Sequence, residues 1–163
     1  MKIIVGYSYP RRFKIGAFLI SWWMKRPYSH VFIRYTDNQN RDLIFHAAHG
    51  TVHPILVKNF EVENKIVKED VLFFTDEEYQ QLRDIYYEKS GKLYSTKQII
   101  LMPIHDAGLA CNIKIKTEDD DGYICSELVG YCLNKVKGIK FSKPFNYLRP
   151  DDIESALTKE SLK

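Results

Sequence analysis

Two rhythms of apolar residues divide the chain. Up to about residue 74 they fall mostly in short β-prone runs bounded by turn residues, and beyond it they recur at helical spacing. Lys2 to Tyr7 is the first β-rich run, and the Tyr-Ser-Tyr-Pro around Pro10 reads as a turn. Phe13 to Met24 interrupts with a roughly helical period through Phe13, Ile15, Phe18, Ile20, Trp22 and Met24, and Pro27 ends it. That stretch is apolar on more than one side, so part of it is expected to lie over a groove or against a ligand. Ser29 to Tyr35 then reads as a strand, Asp37-Asn38-Gln39-Asn40 as a hairpin turn, and Leu43 to Ala48 as the return strand. Gly50 marks another turn, Thr51 to Val57 a third strand, and Lys65 to Phe74 a fourth mixed with charge.

The helical rhythm begins with Asp76-Glu77-Glu78 behind Thr75, an expected N-cap, and runs through Tyr79, Leu82, Ile85 and Tyr86 toward Gly91. Thr96 to Met102 predicts a shorter helix stopped before Pro103. Glu118 to Gly122 is an acidic loop leading into a helix from about Ile124 to Val136, terminated at Lys137-Gly138. Pro144 to Pro150 reads as a loop, Asp151 to Leu157 as a last short helix, and residues 158–163 as a polar tail. The order predicts an α+β fold, a small antiparallel sheet packed on helices, in one domain spanning residues 1–163. No repeat or linker argues for a second domain.

Composition narrows the partners more than the chemistry. With 24 basic against 21 acidic residues the net charge is +3, too weak to imply a nucleic-acid partner. Arg11-Arg12 and Lys25-Arg26 are local basic clusters, and their contact with an anionic surface stands beside the plainer reading of a solvated face. The apolar stretch Ile15 to Met24 is too short to span a bilayer. No signal-peptide pattern is recognised, and Cys111, Cys125 and Cys132 make an odd count, so a reducing, cytoplasmic setting is expected.

Cys125 falls in the first turn of its predicted helix. Unpaired N–H groups and the positive end of the helix dipole there favour a thiolate and can hold an oxyanion. A buried structural cysteine is the competing reading, since positions 125, 128, 129, 132 and 136 form an apolar stripe. The histidines shift the balance. His30 begins one hairpin strand and His46 lies in its partner, where two imidazoles become neighbours on one face if the register permits. One imidazole then takes the thiol proton while the other orients it. His49 replaces His46 under a different register. His53 belongs to the next strand, and His105, beside Asp106, reads as surface. No Cys-x-x-Cys pair, phosphate-binding glycine loop or nucleotide motif is present, so neither a metal nor a cofactor is expected.

Three segments together resemble the circularly permuted branch of the NlpC-type papain-like hydrolases, which includes YiiX-like proteins and relatives of lecithin:retinol acyltransferase. Ser29-His30-Val31-Phe32-Ile33 is similar to the family's His-Val-Gly-Ile strand. Leu43-Ile44-Phe45-His46-Ala47 is similar to the strand carrying the third polar residue. Tyr123 to Val129, containing Cys125-Ser126-Glu127-Leu128-Val129, is similar to the Cys-Ser-Glu-Leu-Val motif, with the histidine strands first in permuted order. Gly91-Lys92-Leu93-Tyr94 resembles the family's Gly-x-x-Tyr. The resemblance implies a permuted papain-like fold, catalysis by Cys125, His30 and His46, and an oxyanion or substrate role for Tyr94 and Ser126. Residues 1–28 match poorly and form a variable N-terminal region, and Phe32 stands where a small residue is usual.

Two functions follow as expectations. One is a thiol hydrolase or acyltransferase acting through an acyl-enzyme on a peptide-like or acyl, lipid-like amide, ester or thioester. A cell-wall substrate would require a lysis system or phage particle for access. The other is a catalytically silent papain-like module that binds a host or partner protein.

Overall fold

A computed structural model describes residues 1–48, 50–95 and 122–161. Its described elements are β1 (Lys2–Pro10), α1 (Ile15–Met24), β2 (His30–Thr36), β3 (Asp42–Ala48), β4 (Thr51–Leu56), α2 (Val57–Glu63), β5 (Asn64–Phe73), α3 (Asp76–Lys89), α4 (Cys125–Lys137), a single 3-10 turn at Phe145–Tyr147, and α5 (Pro150–Glu160). The α+β class follows, with a five-stranded antiparallel sheet in the order β4-β3-β2-β1-β5. The expected helix at Thr96 to Met102, most of the acidic loop, His49, His105 and Cys111 lie outside the described residues.

The β2–β3 hairpin closes where its turn residues demand. One Asp37 carboxylate oxygen accepts from the Gln39 and Arg41 N–H groups at 2.9 Å each, and Asn40 takes the left-handed conformation at φ 57°. Thr75 caps α3 reciprocally: its hydroxyl accepts from Glu78 N–H, while the Glu78 carboxylate accepts from Thr75 N–H at 2.8 Å. Gly138, at φ 67°, ends α4 in the conformation that glycine adopts without a Cβ clash.

Alternation along β1 to β4 sorts the side chains onto two faces. Val5, Tyr7, Val31, Ile33, Phe45, Ala47 and Val52 join the main core with Leu82 of α3, Leu128, Val129 and Cys132 of α4, and Ile153 of α5. The opposite face is smaller. Phe32 and Ile44 pack there against Val57 and Phe60 of α2. That helix lies in the connection carrying the chain from β4 at one edge to β5 at the other.

Three expectations change. The strand through Lys2 to Tyr7 does not turn at Pro10 but continues through it, because Ser8, Tyr9 and Pro10 pair with Ile66, Lys65 and Asn64 beyond a register shift. Pro10 is tolerated at the strand's end, where its missing N–H costs the ladder least. The polar tail is helical as far as Glu160, its hydroxyls bonding back along the helix; the Thr158 hydroxyl donates to the Glu154 carbonyl at 2.9 Å. Residues 57–63 are a helix that the periodicity did not predict. Its two turns bury only Val57 and Phe60, too little to show a period.

Candidate active site

Cys125 is the first residue of α4 and is 6% exposed. Its N-cap residue, Ile124, has no side-chain oxygen to offer the helix. Glu127 accepts from the Ile124 N–H instead, at 3.4 Å, placing a carboxylate at the positive end of the dipole. Burial pushes the thiol pKa up, and the backbone N–H groups of Val31, Ser126 and Cys125 itself pull against it. The net direction is upward, so the resting sulfur carries its proton at neutral pH.

The segment from Gly91 to Ser95 brings Tyr94 to the same place. Val52 N–H donates to the Lys92 carbonyl and Gly91 N–H to the Val52 carbonyl, both at 2.8 Å, tying the segment to β4. Tyr123 N–H donates to the Leu93 carbonyl at 2.8 Å, tying it to the residues just before Cys125. Tyr94 therefore lines a pocket with Cys125, where burial and the neighbouring sulfur push its phenol pKa up. The Ser126 hydroxyl donates to the Leu148 carbonyl, anchoring the chain ahead of α5, and both its backbone N–H and its side chain bear on the sulfur, pulling the thiol pKa down against burial.

Ile20, Trp23 and Met24 of α1 close this pocket from above, joined by Ser29 and Arg149. The Arg149 guanidinium sits 5.0 Å from the centre of the Trp23 ring, a cation–π contact that pins the helix over the thiol. The pocket is partly open, and its volume is about 30 Å³, room for one or two waters and not for an acyl group. The N-terminal region is thus built into the site: β1 lies between β2 and β5, and α1 is the pocket's roof. Sequence reasoning missed Trp23 and Arg149. The apolar faces of α1 were its signal, without indicating what they cover.

The histidines meet as the hairpin suggested. His30 Nε2 and His46 Nδ1 are 3.1 Å apart, within reach of one shared proton. His53, read from the sequence as part of the next strand, joins this group. Register places it directly opposite His46, and the two rings are 4.8 Å apart. Counting outward from the turn at Gly50 would have found that pairing. All three imidazoles are on the α2 side of the sheet: His30 lies 6.2 Å and His46 5.4 Å from Phe60, centre to centre. Cys125 is on the α4 side, against Val31. Among the described residues no hydrogen bond joins the sulfur to either imidazole. Ser29, next to His30 in the chain, nevertheless lines the Cys125 pocket.

Among the described residues no group of three or more His, Cys, Asp or Glu side chains is arranged to hold a metal ion. No helix among them is long and apolar enough to cross a membrane. Neither a scan against protein-family models nor a search of curated proteins gave a match.

Proposed function

We propose that the protein is a thiol hydrolase or acyltransferase of the permuted papain-like kind, with Cys125 as nucleophile. The observation that carries the reading is the sulfur's placement at the start of α4, beneath the N–H groups of Val31, Ser126 and Cys125 and beside Tyr94. Those donors suit a thiolate first and a tetrahedral oxyanion second. The His30–His46 pair engages His30 through Nε2, so Nδ1 is the nitrogen that takes the thiol proton. Because the His30 ring rests on the other face of the sheet, this transfer requires it to turn about the start of β2, one residue from Ser29.

In the reaction the Cys125 thiol gives its proton to His30 and attacks a carbonyl carbon. A carbon–sulfur bond forms, the bond to the leaving group breaks, and the leaving group takes the proton back from His30. Water or another acceptor then adds to the acyl-enzyme and gives its own proton to His30; the carbon–sulfur bond breaks, and the departing Cys125 sulfur takes that proton back. His46 holds His30 in its resting orientation, and the proposed reaction uses no cofactor.

A thiol-directed acyl probe tests the assignment. Cys125→Ala abolishes labelling, whereas Cys132→Ala leaves it intact because burial pushes that thiol up to about 12. His30→Ala slows labelling about 100-fold or more, the usual contribution of a general base. Labelling that persists on Cys132 in the Cys125→Ala protein overturns the reading.

The second reading is a catalytically silent binding module. It is favoured by the imidazoles standing on the other face from the sulfur, and by the small volume of the pocket. A Cys125→Ala protein that retains full biological activity would select it.

A further inference from the structure

Helix α1 has two apolar faces, and among the described residues only one of them packs against the rest of the fold. Ile20, Trp23 and Met24 point inward over Cys125. Ile15, Phe18, Leu19 and Trp22 recur at spacings of three, four and seven, which puts them on one stripe, and all four are exposed, Trp22 to 71%. Phe13 extends the stripe beyond the helix start; it is 73% exposed, with its ring 6.0 Å from that of Phe18. A helix apolar on every side is ordinarily buried on every side, and a continuous exposed stripe of this kind marks a docking surface.

Charge identifies what docks. Arg11, Arg12 and Lys14 precede the helix, Lys25 and Arg26 follow it, and residues 1–36 contain no Asp or Glu. Arg26 is partly committed to Glu154 at 3.4 Å, and the Arg11 Nε–H donates to the Glu61 carbonyl. Arg12, Lys14 and Lys25 remain as exposed cations flanking the stripe. Large apolar side chains bordered by cations match the interface of an anionic bilayer, with acyl chains beneath a negative headgroup layer. At ten residues the helix is about 15 Å long, suited to lying in that interface and too short to cross it.

We infer that α1 is a membrane-docking element that seats the protein on anionic lipid with its outer stripe in the headgroup–acyl boundary. Trp22 and Trp23 are adjacent in sequence and serve opposite faces, so insertion of the outer face acts directly on the roof of the Cys125 pocket. A lipid-borne acyl group is then the substrate class the site would meet. That last step rests on the thiol-enzyme reading above; the docking does not.

Flotation with vesicles of phosphatidylcholine alone, or mixed with phosphatidylglycerol, tests the docking on the full chain. The protein floats with the anionic vesicles, less at high salt, and its tryptophan emission shifts to the blue. Trp22→Phe keeps flotation and loses most of that shift. The triple exchange Arg12→Glu, Lys14→Glu, Lys25→Glu weakens binding about 100-fold or more, and Phe18→Ser with Trp22→Ser abolishes it while the far-ultraviolet dichroism is unchanged. Cys125→Ala floats normally, so loss of catalysis and loss of docking are read separately. No flotation with anionic vesicles overturns the proposal. So does a dimer that the Phe18→Ser, Trp22→Ser protein fails to form, which would assign the stripe to a second copy. A monomer whose Trp22 is shielded from a soluble quencher before lipid is added overturns it as well, by showing the stripe already covered within the chain.

Discussion

The face of the sheet toward α3, α4 and α5 and the face toward α2 differ in how they are held. On the first, α4 alone buries Cys125, Ser126, Leu128, Val129, Gly130, Cys132, Leu133 and Val136, and two further helices share that core. On the second, a seven-residue helix without a side-chain cap covers Phe32 and Ile44 with Val57 and Phe60. The sulfur belongs to the deep face and the imidazole pair to the shallow one. Strand alternation makes chain neighbours serve different faces: Val31 offers its N–H and side chain to the cysteine side, while His30 stacks toward Phe60. Under the proposed function the deeply packed face would carry the nucleophile and the thinly covered face the base, so the base would be the part required to move.

Four measurements break or sharpen that contrast. The largest effect is expected on the deep face. Leu128→Ala, at a fully buried position, costs about 2–5 kcal/mol in chemical denaturation. Native-state hydrogen exchange then separates the faces: α4 amides exchange only through global unfolding and α2 amides through a cheaper local opening. Equal protection of the two helices would erase the distinction. Next, Gly6→Ala tests the shallow face, because a Cβ there would lie 2.2 Å from Phe32 Cζ. It destabilises by about 1–3 kcal/mol, and adding Phe32→Leu recovers part of the loss; a second substitution that gives no recovery denies the contact. The smallest effect concerns the Glu154 tie, where the carboxylate accepts from the Tyr28 hydroxyl at 2.6 Å and Lys68 at 2.9 Å. Burial pushes the Glu154 pKa up, but those donors outweigh it and hold it below the usual glutamate range. The tie's contribution is therefore complete above the ordinary Glu pKa, about 4.3, and fades as pH falls through the lower folded value. Glu154→Gln removes about 1 kcal/mol or less of stability near neutrality and flattens the acid limb. An unchanged acid limb would show the tie to be idle.

Much of this was legible where the physics is local. Asp37 and Asn40 announced the hairpin through their own backbone hydrogen bonds and conformation, and Thr75 with Glu78 announced the start of α3. The Cys125 helix was readable from its apolar stripe, and the meeting of His30 with His46 from the hairpin between them. What could not be read is set by distant partners. Ser8 to Pro10 are strand because β5, more than fifty residues away, pairs with them. Val57 to Glu63 has too few buried residues to carry a period. Alternation already separated His30 from Val31, but which face would meet α4 is a tertiary fact. The motif resemblance singled out Cys125, His30 and His46 in the sequence, whereas the structure puts the sulfur and the two imidazoles on opposite sides of the sheet.

Gly6 and Phe32 also set a rule for redesign. They face each other across β1 and β2, and the ring occupies the space a side chain at residue 6 would need. Two strands thus share one volume, so their sequences do not vary independently. A library that enlarges residue 6 is expected to yield well-folded protein chiefly where residue 32 is reduced in the same clone.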